Sequence, residues 1–261
     1  MRRLKIFHAV ALIIAVVLVS SSAQADDYGK TLYRSLSKRL GRNREDYPAL
    51  SDLEFANFRE VHTTGIAKGR LFRSSSPVST WGNRNKIADN AARLAGVKTF
   101  INLADSNQSV KEHKGYSGSY YSTQKMAGLN LNMKYSSTKF TKSLAYGIHF
   151  MAVNEPPYLI HCSLSKDRAG YVCALIECLA GAGLDEIERD YMTSFRNYFG
   201  IVEGTKEYDF IVRHEILKFL AQAFGVKNIL AVNLSEAAEK YFISIGVSPD
   251  DIKTLREKLR D

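Results

Sequence analysis

Apolar positions along the chain fall into short blocks whose spacing switches between helical and strand-like. Residues 83 to 94 place Ile87, Ala91 and Leu94 at helical intervals, and Gly96 follows as a stop. Val97 to Leu103 is apolar and partly β-branched, which predicts a buried strand ending at Ala104 and Asp105. Residues 106 to 127, rich in Ser, Gly, Tyr and Lys, are expected to form a mobile loop over one end of a sheet. A helical pattern returns from Phe140 to Val153 and is broken by Pro156 and Pro157, after which Tyr158 to His161 reads as a short strand entering Cys162. Ala169, Val172, Cys173, Ile176 and Leu179 then recur every three or four residues, so 168 to 180 is predicted to be a mostly apolar helix. This alternation predicts an α/β fold, a central sheet flanked by helices, with chemistry at the carboxyl ends of the strands.

The tail reads as helical. Ser248 as cap, Pro249 at the first helical position and Asp251 three residues past the cap predict the start of a last helix, and Ser235 is expected to cap a helix that Gly246 ends. No repeat or long linker interrupts the chain. The expected organisation is one domain, 50–261, with a helical C-terminal extension over 235–260.

The N-terminus follows a different pattern. Arg2, Arg3 and Lys5 precede an uncharged apolar run from Ala9 to Val19, three serines and the triplet Ala23, Gln24, Ala25. That order reads as a secretory signal peptide, 1–25, cleaved after Ala25, and the run is too short to span a bilayer. The protein is therefore expected to be exported, to the periplasm, the cell surface or the medium. Removing 25 of the 261 residues, with three positive charges and no acidic residue, leaves 236 residues and lowers the formal charge from +9 to +6. A basic surface attracts anions without choosing among them. Residues 26–49 form a basic leader segment, and the charges from Lys30 to Arg44 read as a solvated helix.

Composition narrows the chemistry further. The three cysteines, Cys162, Cys173 and Cys178, are too few and too odd in number for a disulfide scaffold. A shared helix would set Cys173 and Cys178 about 140° apart, which disfavours a bond between them, and simple packing is expected for both. No His, Cys, Asp and Glu cluster has metal-ligand spacing. No nucleotide-binding glycine motif occurs either.

The segment from His161 to Gly170, HCSLSKDRAG, carries the chemistry. A strand feeds the cysteine and a helix begins at Arg168, so a tight loop between them can turn successive backbone N–H groups toward one anion. A helix N-terminus beside cations favours the thiolate form of a cysteine, and the guanidinium of Arg168 offers a planar fork for two oxygens of a phosphoryl group. His161 is expected to brace the loop and Arg73 to form a structural salt bridge. Asp105, at a strand end, could serve as an acid or cap the next loop.

This segment resembles the signature loop of the cysteine-dependent protein tyrosine phosphatase superfamily, most closely a bacterial branch whose loop reads HCxxGKDRxG and which includes dual-specificity and phosphoinositide-directed members. Phe72-Arg73-Ser74-Ser75-Ser76-Pro77, Ile101-Asn102-Leu103-Ala104-Asp105 and Asp190-Tyr191-Met192 look like that branch's other segments. The resemblance covers roughly 50 to 260. It implies a tyrosine-phosphatase-like fold with Cys162 as nucleophile, Arg168 as phosphate clamp, Asp167 as general acid and Lys166 as an extra phosphate contact, Ser163, Leu164 and Ser165 completing the cradle. Two positions depart from the pattern: Ser165 stands in place of the family's glycine, putting a side chain where close backbone approach to the anion is needed, and Ala169 stands where many members carry a hydroxyl that assists the second step.

The reading is an exported phosphomonoesterase that needs no cofactor. Its expected substrates are a phosphorylated protein or an inositol or lipid phosphate; no nucleic acid is expected, and membrane contact comes only through the leader or an anionic lipid substrate. Lys166 beside Arg168 favours substrates with more than one phosphate. The alternatives are a phosphate-binding pseudophosphatase with little turnover and, further off, a sulfur-transfer enzyme.

Overall fold

The computed structural model describes residues 24–260, so most of the expected signal peptide lies outside the described residues. The chain divides into two units, one ending at Leu40 and one beginning at Gly41. In the first, residues 24–39 form a helix, α1. The second therefore takes in 41–49, nine residues that the sequence grouped with the leader. Arg84 shows why: its Nη2 donates to Gly41 O at 3.1 Å and its Nε to Phe55 O at 2.9 Å, while the Tyr47 ring packs 5.6 Å from that of Phe55. Among the described residues no helix is long and apolar enough to cross a membrane.

From Gly41 onward the elements are α2 (Asp52–Phe55), β1 (Arg59–Glu60), β2 (Leu71–Ser74), α3 (Asn85–Leu94), β3 (Thr99–Asn102), β4 (Lys125–Gly128), α4 (Thr138–Val153) and β5 (Tyr158–His161). The helical half follows: α5 (Arg168–Ala180), α6 (Leu184–Phe199), α7 (Lys206–Ile211), a π-helical segment (Val212–Ile216), α8 (Leu217–Phe224), α9 (Leu234–Ser244) and α10 (Pro249–Arg260). The five strands run β1-β2-β5-β3-β4, with β1 antiparallel and all other neighbours parallel. β5 is central, and His161 pairs with Ser74 on one side and Asn102 on the other. Three strands thus end level beside Cys162.

The register also sorts the two faces, because alternate residues of a strand point to opposite sides. Phe72, Leu159 and Phe100 are register partners, and they pack in one cluster with Ala92 of α3 and with Val78, Val97, Val110 and Tyr121. Arg73, Ile160 and Ile101 form the next row, on the opposite face. α5 packs on β5, and all of its residues from Ala169 to Ala180 are buried. Its apolar all-round composition suits such burial, Glu177 being the exception.

Two expectations need correction. Residues 106–127 are not one continuous loop: they form two short 3-10 turns and lead into the edge strand β4, and Asp89 accepts the amides of Tyr120 and Tyr121 at 2.9 and 2.8 Å. Their polar composition conceals this, because β4 buries only Ala127 and so shows no alternation to read. The helix before the last one is capped by Asn233, whose Oδ1 accepts from Ser235 N at 3.1 Å and Glu236 N at 3.2 Å, while the Ser235 hydroxyl donates to Leu179 O. Ser248 caps α10 as expected, its Oγ accepting from Asp251 N at 3.1 Å.

Candidate active site

The loop from Cys162 to Asp167 leaves β5 and enters α5. Cys162 is 3% exposed, held where three strands end. The carbonyls of Ser163, Leu164 and Ser165 each meet a donor from elsewhere in the chain. Ser163 O accepts from Ser76 N at 3.2 Å. Leu164 O accepts from Asn57 Nδ2 at 3.0 Å and Tyr198 OH at 2.9 Å. Ser165 O accepts from Ser194 Oγ at 3.2 Å and from Arg73 Nη2. The amides of Ser163, Leu164, Ser165 and Arg168 donate to no protein acceptor among the described residues. Backbone donors left free in a loop whose three middle carbonyls are engaged from outside it form an anion cradle.

Arg168 opens α5 and its guanidinium is already oriented. Nη1 donates to Leu131 O at 3.0 Å and Leu103 O at 3.3 Å, and Nη2 to Ser163 Oγ at 3.4 Å. Asp167 pairs with Lys166, and its side chain is 35% exposed against 12% for Lys166. The Lys166 ammonium lies 4.7 Å from the ring centre of Phe195, and the side chain is largely buried.

Asp105 is placed differently. Its Oδ1 lies 3.1 Å from His113 Nε2 and its Oδ2 accepts from Asn102 Nδ2 at 3.2 Å, so both carboxylate oxygens are engaged in holding the turn after β3. Asn102 also donates to Tyr121 OH at 3.2 Å, which lies 3.3 Å from His161 Nε2. His161 is fully buried, and burial pushes its imidazole down to about 4, so it meets Tyr121 as a neutral ring.

Ser165 has φ +59, the left-handed conformation that the family's glycine adopts freely. Its hydroxyl does not point into the cradle: it is fully buried and accepts from Arg73 Nε at 3.1 Å. Arg73 is the expected salt bridge, paired with Asp190. Cys173 and Cys178 are buried, and burial raises both thiols, as packing residues require.

Tyr135 borders the site. Burial raises its hydroxyl, and so do the nearby charges of Asp167, Glu215 and Cys162. Its ring stacks on Tyr171 at 4.3 Å and meets Phe219 edge-on at 5.0 Å, and a groove of about 570 Å³ opens beyond it along Phe219, Gln222 and Tyr241. The sequence carried no signal for Tyr135, Asn57, Ser194 or Tyr198, which only folding brings to the loop. Asp190 lay in a segment already noted, without a partner assigned.

None of the curated proteins compared matches this chain. Among solved structures, it is similar to the core catalytic domain of the PP-IP phosphatase SIW14 from S. cerevisiae, in complex with citrate, at 16% identity over 61% of this chain and 85% of that one, with a TM-score of 0.36. The family model described as "tyrosine phosphatase family" matches residues 49–261, which includes every strand of the sheet and the whole of the loop between β5 and α5. The chain belongs to the tyrosine phosphatase family and is a phosphoric monoester hydrolase.

Proposed function

We propose that this protein is an exported, cysteine-dependent phosphatase that hydrolyses phosphomonoesters through a phosphocysteine. The observation that carries the reading is that the carbonyls of Ser163, Leu164 and Ser165 are each bonded from outside the loop while the amides of Ser163, Leu164, Ser165 and Arg168 stay free to meet an anion. The amides and Arg168 hold the non-bridging oxygens. The Cys162 sulfur attacks phosphorus; the S–P bond forms as the P–O bond to the leaving group breaks, and Asp167 gives the leaving oxygen its proton. Water then attacks the phosphocysteine, passing a proton to the Asp167 carboxylate while the S–P bond breaks and its electron pair returns to sulfur.

Asp167 suits the acid role because it is partly exposed beside Arg168, whereas both Asp105 oxygens are engaged in the turn. The Ser165 hydroxyl, turned toward Arg73, leaves the cradle clear, which favours turnover over a pseudophosphatase. Ala169 offers no hydroxyl to the departing thiolate, so breakdown of the phosphocysteine is the slow step. A pre-steady-state burst of leaving group, close to one equivalent per chain, is expected.

The substrates fall within phosphorylated proteins and inositol or lipid phosphates. Lys166, drawn toward Phe195 and Asp167, lends little support to a second phosphate contact. Activity against a panel of phosphotyrosine peptides, inositol phosphates and phosphoinositides tests the class. In Cys162→Ser, turnover should vanish while inorganic phosphate still binds; undiminished turnover excludes the thiolate mechanism. Export rests on the first 25 residues and is tested by the N-terminus of the protein recovered outside the cytoplasm, expected at Asp26.

A further inference from the structure

Behind the loop, on the side away from the free amides, three ionic side chains from distant parts of the sequence meet: Arg59 of β1, Arg73 of β2 and Asp190 of α6. Arg59 Nε donates to Asp190 Oδ1 at 2.7 Å and Arg73 Nη1 to Asp190 Oδ2. Asp190 is 8% exposed and Arg73 not at all. Arg59 is also held by Asn57 Oδ1 at 2.7 Å and Asp190 O at 2.8 Å, so its bonds to Asp190 do not run through Arg73.

The rest of the Arg73 guanidinium is spent on a single residue of the loop. Nε donates to the Ser165 hydroxyl at 3.1 Å and Nη2 to the Ser165 carbonyl. That carbonyl immediately precedes Lys166, and Ser165 is the residue whose backbone must sit in the left-handed region for the loop to turn. A glycine there would turn more easily but would offer Arg73 no hydroxyl. Serine at this position and a buried arginine beneath it thus make one device.

Charge points the same way. Glu177 of α5 is fully buried and, among the described residues, neither carboxyl oxygen has a hydrogen-bond partner. Burial, followed by the neighbouring Asp190, raises its carboxyl well above the usual range. Two guanidinium groups, those of Arg59 and Arg73, thus converge on the single Asp190 carboxylate behind a loop built to receive an anion.

We propose that Arg73 is a positioning residue for the phosphate loop, clamping Ser165 by hydroxyl and carbonyl so that the loop's amides stay turned toward the bound phosphoryl group. Arg73 touches neither the attacking sulfur nor the phosphate. The proposal rests on the phosphatase reading for its catalytic consequence but not for its effect on anion binding, and the two are measured separately.

The test uses the full chain carrying Arg73→Met, Arg73→Lys or Ser165→Ala, with inorganic phosphate titrated calorimetrically, kcat and KM measured on an aryl phosphate, and thermal melting run alongside. Each lost bond from a charged donor corresponds to roughly a tenfold or greater change. Folded Arg73→Met should bind phosphate at least about tenfold more weakly and lose kcat/KM by at least as much. Arg73→Lys should recover part of both, because an ammonium reaches one Ser165 oxygen. Phosphate affinity and kcat/KM within twofold of wild type in a folded Arg73→Met protein would overturn the clamp. Should Arg73→Met not fold, Ser165→Ala decides: weaker phosphate binding by about three- to tenfold supports the clamp, and unchanged binding rejects it. A wild-type chain that binds phosphate without hydrolysing any ester sinks the phosphatase reading, while the affinities still judge Arg73; one that does not bind phosphate at all removes both.

Discussion

Asp167 and Asp105 are both carboxylates at the loop end of the sheet, and their partners separate them. Asp105 spends both oxygens on His113 and Asn102, whereas Asp167 pairs with Lys166 and keeps a third of its side chain in solvent. A positioned acid contributes about a hundred- to ten-thousandfold, mostly when the leaving group is poor. Asp167→Asn should therefore slow hydrolysis of alkyl phosphates by that order and affect an activated aryl phosphate much less. Equal losses on both would make Asp167 an organiser of the loop; leaving-group dependence in Asp105→Asn instead would transfer the assignment. Ser165 shows how a residue's direction decides its effect. If its side chain crowded the anion, Ser165→Gly would raise kcat/KM, but the hydroxyl faces Arg73 and glycine removes that bond while relaxing the left-handed turn. The expected outcome is no gain in phosphate affinity or kcat/KM, and a rise of tenfold would show that the side chain obstructs the cradle.

At the scale of elements, the loop is shaped as much by α6 as by the strand and helix that flank it. Ser194 and Tyr198 lie one turn apart on α6 and donate to adjacent loop carbonyls, those of Ser165 and Leu164. Asn57, just after α2, bonds the same Leu164 carbonyl and the Ser194 hydroxyl. Because Asn57 remains, Tyr198→Phe removes one of two donors and should cost about 0.5–1.5 kcal/mol of stability. Chemical denaturation measures this, and KM for an aryl phosphate should rise with little change in kcat. A loss above about 3 kcal/mol would mean that Asn57 cannot hold the carbonyl alone. How much of this could be read from sequence varied by element. β5 and α5 were legible to the residue because their apolar blocks are bounded by two prolines, the polar loop and Gly181. α6 carries charged residues on its outer face, and its role is invisible without the loop it supports.

At the scale of the whole molecule, two buried titratable groups set opposite pH limits on the fold. His161 has its folded value lowered from 6.5 to about 4 by burial. Its contribution is complete above pH 6.5 and is lost as pH falls through about 4, a span worth about 3 kcal/mol. Glu177 has its folded value raised above 4.5 by burial and then by Asp190. Its contribution is complete below pH 4.5 and is lost as pH rises through that raised value. Glu177→Gln, which cannot ionise, should therefore gain stability relative to wild type as pH rises above about 4.5. His161→Asn should flatten the acid limb between pH 6.5 and 4. Unfolding free energies measured across pH 4 to 9 check both, and parallel curves for variant and wild type would refute either assignment.

The sequence by itself determined the α/β class, the strand that delivers Cys162, the helix that begins at Arg168 and the phosphate-loop spacing between them. These follow from local rules: apolar periodicity, proline and glycine stops, and chemistry confined to one short segment. Only the tertiary structure decided what holds that loop open to an anion. Ser76, Asn57, Arg73, Ser194 and Tyr198 reach it from sequence separations of 29 to 107 residues. No periodicity records such pairings, because a hydrogen bond to a backbone carbonyl depends on where the donor's element is packed rather than on the residues beside it. The same holds for the Ser165 side chain, whose orientation is set by a buried arginine on a neighbouring strand, and for Asp105, whose partners come from the turn it closes.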